Sequence, residues 1–177
     1  MPYIIIVRTL SAFYSLPMLT IRAATIEDVP LLRRLIWELA DYEKAPDEVL
    51  ITVAELARDG FGANPKFRAL IAEWDRQPVG YAIFFFYYST WRGPGLFLED
   101  LFVRPDFRGR GIGGALLARV ARTATQEGCV LVKWEVLDWN QPAIDMYKAL
   151  GGDVREEWRS VLLMGDALQK LAGKASG

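Results

Sequence analysis

The stretch that decides the fold is LEDLFVRPDFRGRGIGGALL, residues 98–117. It predicts a strand ending at Val103, a loop carrying Arg104, Arg108 and Arg110, and a helix that begins among glycines at positions 109, 111, 113 and 114. Because glycine has no Cβ atom, backbone N–H groups can approach an anion closely at the positive end of the helix dipole. The stretch therefore predicts a diphosphate site with three arginines around it.

Two other phosphate-binding motifs are less consistent with this pattern. The sequence contains no GxxxxGK[ST], which excludes a P-loop. GxGxxG is formally present at Gly109, Gly111 and Gly114, but a dinucleotide-binding domain turns directly from strand to helix and repeats its βαβ unit. Here a loop of several residues intervenes and only one such unit is present. A glycine-rich turn without a ligand remains an open alternative.

Composition narrows the possible chemistry. The chain of 177 residues has no histidine, which excludes Ser-His-Asp and Cys-His catalysis and any histidine-containing metal site. We therefore expect no metal and assign proton transfer to carboxylates, tyrosine, lysine or water. A net charge of −1 argues against nucleic acid as the main partner. A lone Cys129 excludes an internal disulfide and favours a cytoplasmic protein.

The order of predicted elements indicates one mixed α/β domain over residues 19–172. An antiparallel meander is predicted first and a β-α-β unit afterwards. The predicted strands are 19–23, 67–73, 79–88, 96–103, 130–136 and 158–164, and the predicted helices start at Thr25, Thr52, Gly111, Pro142 and after residue 164. Gly-Pro-Gly at 93–95 is predicted as a turn. Residues 173–177 are expected to form a tail.

Residues 1–18 are expected to be a dispensable extension, because Met18 immediately precedes the regular pattern. Their apolar stretches are too short and interrupted for a membrane span, although a weak targeting segment remains an alternative. No other segment is typical of a membrane protein, so no membrane partner is expected.

Several spaced motifs resemble a known family. Residues 108–113, RGRGIG, are similar to the acetyl-CoA signature of the GNAT N-acetyltransferases. The resemblance extends to the spermidine/spermine (diamine) and thialysine acetyltransferases. It rests on LAxYE at 39–43, DGFG at 59–62, aromatic residues at 84–91, LEDxFV at 98–103 and WNxPxIxxYK at 139–148. It implies the GNAT fold, with a mostly antiparallel mixed sheet flanked by helices and splayed between 96–103 and 130–136.

The resemblance also implies roles for individual residues. Acetyl-CoA would be the co-substrate, and Tyr147 would be the general acid that protonates the departing thiolate. The residues implied to contact acetyl-CoA are Leu101, Phe102, Val103, Arg108, Gly109, Arg110, Gly111, Ile112, Gly113, Gly114, Asn140, Ala143 and Tyr147. The residues implied to line the amine site are Tyr42, Glu43, Trp91 and Glu99. The sequence itself adds Glu135, which with Asp41, Glu43 and Asp138 is expected to form an acidic wall, and Arg92 near the expected mouth of the site. A homodimer is implied as well.

The chemistry of amine acetylation is consistent with these roles. An alkyl ammonium with a pKa of about 10.4 is only about 0.1% free amine three pH units lower, so a carboxylate that accepts its proton helps the reaction. Glu99 suits that task, and strand alternation should direct Asp100 to the opposite face. Alternatives remain: Glu99 as a solvated carboxylate, Tyr147 as a core aromatic, and Asn140 as the cap of the next helix.

One departure bears on the substrate. The diamine enzymes typically carry an acidic residue before their WxG stretch, whereas this chain has Ser89-Thr90-Trp91-Arg92-Gly93. We therefore expect direct transfer of acetyl to a small primary amine, with a lysine-like amino acid such as thialysine ahead of a di- or polyamine. The alternatives are a protein or antibiotic amine acetyltransferase, or a non-catalytic acyl-CoA-binding module.

Overall fold

The structure, a computed structural model, describes residues 18–175. The predicted N-terminal extension lies outside these residues except for Met18, and so do the last two residues of the predicted tail. The chain forms two compact units, one up to Glu135 and one from Val136 onward.

A five-stranded mixed sheet dominates the first unit. Its strands follow one another in space as along the chain, the first four antiparallel and the fifth parallel to the fourth. They are β1 (Leu19–Ala23), β2 (Arg68–Trp74), β3 (Gln77–Ser89), β4 (Gly93–Val103) and β5 (Leu131–Lys133). The predicted meander is confirmed, and the strand predicted over 130–136 is shortened to three residues.

The segment Gly-Pro-Gly, predicted as a turn, instead begins β4. The turn lies just before it, where the Arg92 N–H donates to the Ser89 carbonyl at 3.2 Å. Gly95 is closely packed, because a Cβ atom there would lie 2.7 Å from the Tyr87 ring and the ring would have to move. Gly95 therefore marks a close approach between β3 and β4, and not a turn of the chain.

Three helices belong to the first unit: α1 (Val29–Tyr42), α2 (Val53–Phe61) and α3 (Ile112–Gln126). The predicted capping pair Thr52 and Glu55 begins α2, with the Glu55 N–H donating to the Thr52 hydroxyl at 3.2 Å and the Thr52 N–H donating to the Glu55 carboxylate at 2.9 Å. Thr25 and Asp28 form the corresponding pair around a 3-10 turn that precedes α1.

The sheet buries both faces. On one face, α1 packs into a core cluster that contains Leu32, Leu35, Ala69, Ile71, Tyr81, Ile83 and Phe102. Alternate residues of the same strands, such as Ala82, Phe84 and Leu98, are buried on the other face, where α3 contributes Leu116 and Val120. The amphipathic stripes of α1 and α3 thus hold β4 between them.

The second unit contains α4 (Gln141–Ala149) and α5 (Gly165–Ala172). Both helices were predicted, but the predicted strand over 158–164 is wrong, since those residues belong to no strand ladder. An alternating pattern cannot by itself create a strand, which needs a partner for its backbone groups. Across residues 18–175, no helix combines the length and apolar composition that a membrane crossing needs.

Candidate active site

The second half of β4 is paired on one side only. Its pairing with β5 stops at Phe97, opposite Lys133, whereas its pairing with β3 continues to Val103, opposite Gly80. Among the described residues, no strand therefore pairs with residues 98–103 on the β5 side. This confirms the predicted splay and leaves an edge of backbone donors and acceptors at Leu101 and Phe102.

A β-bulge interrupts β4 at Glu99. Ile83 pairs with Asp100 and Phe84 pairs with Leu98, so Glu99 is the additional residue. Strict alternation does not hold across a bulge. Leu98 shares the α3 side with Phe84, while Asp100 shares the α1 side with Ile83. The simple alternation that was expected to separate Glu99 from Asp100 therefore does not apply at this position.

Asp100 is held by a buried tyrosine on the neighbouring strand. The Tyr81 hydroxyl donates to Asp100 Oδ2 at 2.9 Å, and the Tyr81 side chain is fully buried. Burial raises the pKa of Asp100 to about 6, the hydrogen bond from Tyr81 opposes that rise, and the charges of Glu99 and Glu43 add to it. Burial also raises the pKa of Tyr81, as does the Asp100 charge. The result is a carboxyl group that titrates close to neutrality.

Two further carboxylates near this strand titrate above their ordinary values. Partial removal from water raises the pKa of Glu99, and the charge of Glu135 raises it further. Burial raises the pKa of Glu43, which directly follows α1. Besides burial, neighbouring negative charges raise the pKa values of Glu99 and Asp100. This group of acids therefore favours the binding of a cation such as an alkyl ammonium.

The glycines of residues 109–114, before and at the start of α3, leave an open space that we call the cradle. Gly109 and Gly111 have φ angles of +74° and +78°, a conformation that other residues adopt only with strain. A Cβ atom added at Gly109, Gly111 or Gly114 would meet no other atom within 4 Å. For Gly114, which is helical, neither backbone angle nor packing requires glycine, although glycine weakens a helix. The free space before the helix N-terminus therefore fits an anionic group.

The arginines of the loop differ in their partners. Arg104 was expected to lie beside the diphosphate site, but its guanidinium group is engaged elsewhere. It forms a two-pronged ion pair with Glu38 at 2.6 and 2.7 Å. Arg108 stacks on the Tyr42 ring and donates from Nε to the Val103 carbonyl. Arg110 lies over the Trp74 and Phe107 rings. Two arginines thus remain beside the cradle.

Trp91 and Arg92 lie in the exposed turn between β3 and β4. Glu99 follows Arg92 by seven residues, which is about 23 Å along a strand at 3.3–3.4 Å per residue. A lysine-like amine can contact the Arg92 guanidinium and the Glu99 carboxylate together only when these two side chains extend toward each other. Tyr42 ends α1, and Glu43 follows it.

The predicted residues of the second unit all belong to α4 or its start. Asn140 is the N-cap residue of α4, and its carbonyl accepts from the N–H groups of Ala143 and Ile144 at 3.1 Å. Its side chain does not cap the helix. Tyr147 is 8% exposed, and its neighbour on the helix, Ile144, is equally buried.

Sequence reasoning missed two pairs that shape this region, Tyr81 with Asp100 and Arg104 with Glu38. A tyrosine within the apolar run of β3 was the available signal for the first pair, but its partner depends on strand register and on the bulge. The described residues contain no group of three or more acidic, cysteine or histidine side chains that could hold a metal ion.

Comparisons with known proteins indicate one fold, and the family model and the two curated relatives given below are described as acetyltransferases. The family model described as "Acetyltransferase (GNAT) family" matches residues 30–151. Thialysine N-epsilon-acetyltransferase of Sus scrofa is 44% identical over 165 residues, which cover 87% of this chain and 97% of that protein. Spermidine/spermine N(1)-acetyltransferase-like protein 1 of Homo sapiens is 41% identical over 138 residues, which cover 74% of this chain and 20% of that protein. The solved structure of an integron cassette protein from V. cholerae has a TM-score of 0.72 at 23% identity. The match covers 87% of this chain and 97% of that chain.

Proposed function

The chain belongs to the GNAT family and is an acetyl-CoA-dependent N-acetyltransferase, and on that premise we propose that it acetylates a small lysine-like amine that carries its own carboxylate. The predicted fold class, an α/β GNAT fold with a splayed mixed sheet, is confirmed. The open glycine cradle beside the unpaired half of β4 is the observation that carries the proposed coenzyme site, and the substrate preference rests on the separate observations given below.

The coenzyme is proposed to bind along the second half of β4 and the loop that follows. The backbone N–H groups at Gly109–Gly114, with Arg108 and Arg110, hold the diphosphate. The free backbone edge at Leu101 and Phe102 receives the amide-containing arm. Asn140 and Ala143 complete the proposed set of coenzyme contacts.

The protein's own groups are proposed to move two protons. Glu99 takes the proton of the substrate ammonium through water, so that a neutral amine attacks the thioester carbonyl directly. The Tyr147 hydroxyl supplies the proton that the thiolate needs on leaving. The acids near β4 support the first step, because they favour the approach of an ammonium that must then give up its proton.

The preference for a lysine-like substrate rests on two observations. Three relatives that are 41–44% identical over 87% of this chain are named thialysine N-epsilon-acetyltransferases. The turn before β4 carries Arg92 without an acidic neighbour, and an arginine fork fits a carboxylate. A polyamine would meet Arg92 as a like charge.

The test is an amine panel read by release of free coenzyme A. We expect kcat/KM for thialysine and lysine to exceed the values for putrescine and spermidine in the parent. Arg92→Ala should lower kcat/KM for the two amino acids and leave the two polyamines unchanged or improved. Arg76→Ala, which changes an exposed arginine in the turn between β2 and β3, is the matched control. Spermidine preferred by a wide margin, with no effect of Arg92→Ala, contradicts the proposal.

We also propose the extent of the domain, the cellular location and the oligomeric state. The acetyltransferase domain spans residues 19–172, the protein is cytoplasmic, and it acts as a homodimer without a metal or a nucleic-acid or membrane partner. The lone cysteine supports a reducing compartment, and exposed apolar residues in the second unit support the dimer.

A further inference from the structure

Arg108 is fixed by the end of α1 although it belongs to the coenzyme loop. Its guanidinium carbon lies 4.2 Å from the centroid of the Tyr42 ring and 5.9 Å from that of Phe102. Its Nε donates to the Val103 carbonyl at 2.9 Å. Within residues 18–175 no carboxylate forms an ion pair with Arg108, in contrast to Arg104, which Glu38 engages.

These contacts leave the anion-binding end of the side chain available. The hydrogen bond to Val103 uses Nε, so the two Nη groups, which form the planar fork that fits a phosphate, can still donate. An arginine that is free in solution loses rotamer freedom when it binds an anion, which weakens binding. Arg108 has been restricted before the anion arrives.

Tyr42 is itself well fixed. It is the last residue of α1 and packs against the core cluster that includes Phe102 and Tyr81. Its ring therefore provides a stable surface for the guanidinium at the junction of α1 and the end of β4.

We propose that Tyr42 is a positioning residue for the coenzyme, whose ring holds Arg108 in place for the diphosphate. The proposal rests on the coenzyme site proposed above and differs from the role in amine binding that the sequence suggests for Tyr42. According to this proposal, the affinity for coenzyme A depends on Tyr42, the last residue of α1.

The first experiment measures the Kd of coenzyme A by calorimetry in the parent, Tyr42→Leu and Tyr42→Phe. A cation over an aromatic face favours the ring and not the hydroxyl. We therefore expect Tyr42→Leu to raise Kd about three- to tenfold and Tyr42→Phe to change it less than about twofold. Thermal melts check that each variant is folded, and Tyr42→Met replaces Tyr42→Leu if the latter does not fold.

The second experiment repeats Tyr42→Leu in an Arg108→Ala background. If Tyr42 acts through Arg108, the substitution should have no further effect on the Kd of coenzyme A there. An equal loss in both backgrounds, or no loss in either, overturns the inference, and so does a change confined to the KM of the amine. A parent that does not bind coenzyme A contradicts the proposed function itself, which separates the two failures.

Discussion

Asp100 carries a carboxyl group in surroundings that disfavour its ionised form. Its pKa in the folded protein is about 6, against an ordinary value of 3.8, with burial as the main cause. The folded protein therefore holds the proton more tightly than the unfolded chain between these two pH values. Stability should fall as the pH rises through this window and stay reduced above it, by on the order of 2–3 kcal/mol.

Asp100→Asn should remove this loss. The asparagine keeps an oxygen that can accept from the Tyr81 hydroxyl but carries no charge, so the variant should be more stable than the parent at pH 7–8 and similar to it near pH 4. Denaturant unfolding at several pH values measures this difference. Asp106→Asn, an exposed aspartate, is the control. A variant that is less stable than the parent at pH 8 would show that the Asp100 charge has a partner of its own.

Glu99 is expected to affect the rate in a pH-dependent manner. If it accepts the proton of the ammonium, Glu99→Gln should lower kcat/KM most near neutral pH, where free amine is scarce, and activity should recover partly toward pH 9–10. Steady-state rates across this pH range check the prediction. A defect of constant size at all pH values points to a role in substrate binding instead.

At the scale of elements, the glycines that begin α3 can be tested without disturbing the helix. Gly114 lies within α3, and a Cβ atom added there would meet no atom within 4 Å outside the neighbouring turns of its own helix. Gly114→Val should therefore leave the protein folded, while its side chain fills the cradle and raises the Kd of coenzyme A tenfold or more, about 1.4 kcal/mol. Ala121→Val, on the exposed side of the same helix, should leave the Kd unchanged. Undiminished affinity in Gly114→Val would remove the diphosphate from this loop.

The sequence predicts these elements well where one local signal decides them. The capping pair at Thr52 and Glu55 places α2, and the glycine loop places α3, because both depend on neighbours along the chain. The bulge at Glu99 and the pair of Tyr81 with Asp100 could not be predicted, since they depend on register between strands. Residues 158–164 show the same limit, because their alternation is local whereas a ladder is not.

At the scale of the whole chain, the net charge is −1, but positive and negative side chains are separated along β4 and the loop that follows it. Arg108 and Arg110 lie just beyond the end of β4, while Glu99 and Asp100 lie about four residues earlier, about 13 Å along the strand. We therefore expect an anionic coenzyme and a cationic amine to be directed to different places on one strand. In the site proposed above, this separation would keep two oppositely charged substrates from exchanging places.

The second unit exposes a run of large apolar side chains. Val161 is 90% exposed and Leu162 79% exposed, and Trp158 and Met164 on either side are more than half exposed. A stable protein seldom leaves such a run in water, so we expect a second copy of the chain to cover it. Light scattering should give about twice the mass of 20.0 kDa at micromolar concentration.

Val161→Asp tests whether this run forms the interface. A charge in the middle of an apolar contact loses its water on association, so the variant should have a mass near that of one chain at concentrations where the parent is dimeric. Lys174→Asp, an exposed change near the end of the described chain, should leave the dimer intact. A parent of single-chain mass contradicts the dimer, whereas a dimer that Val161→Asp does not weaken assigns the interface to another surface.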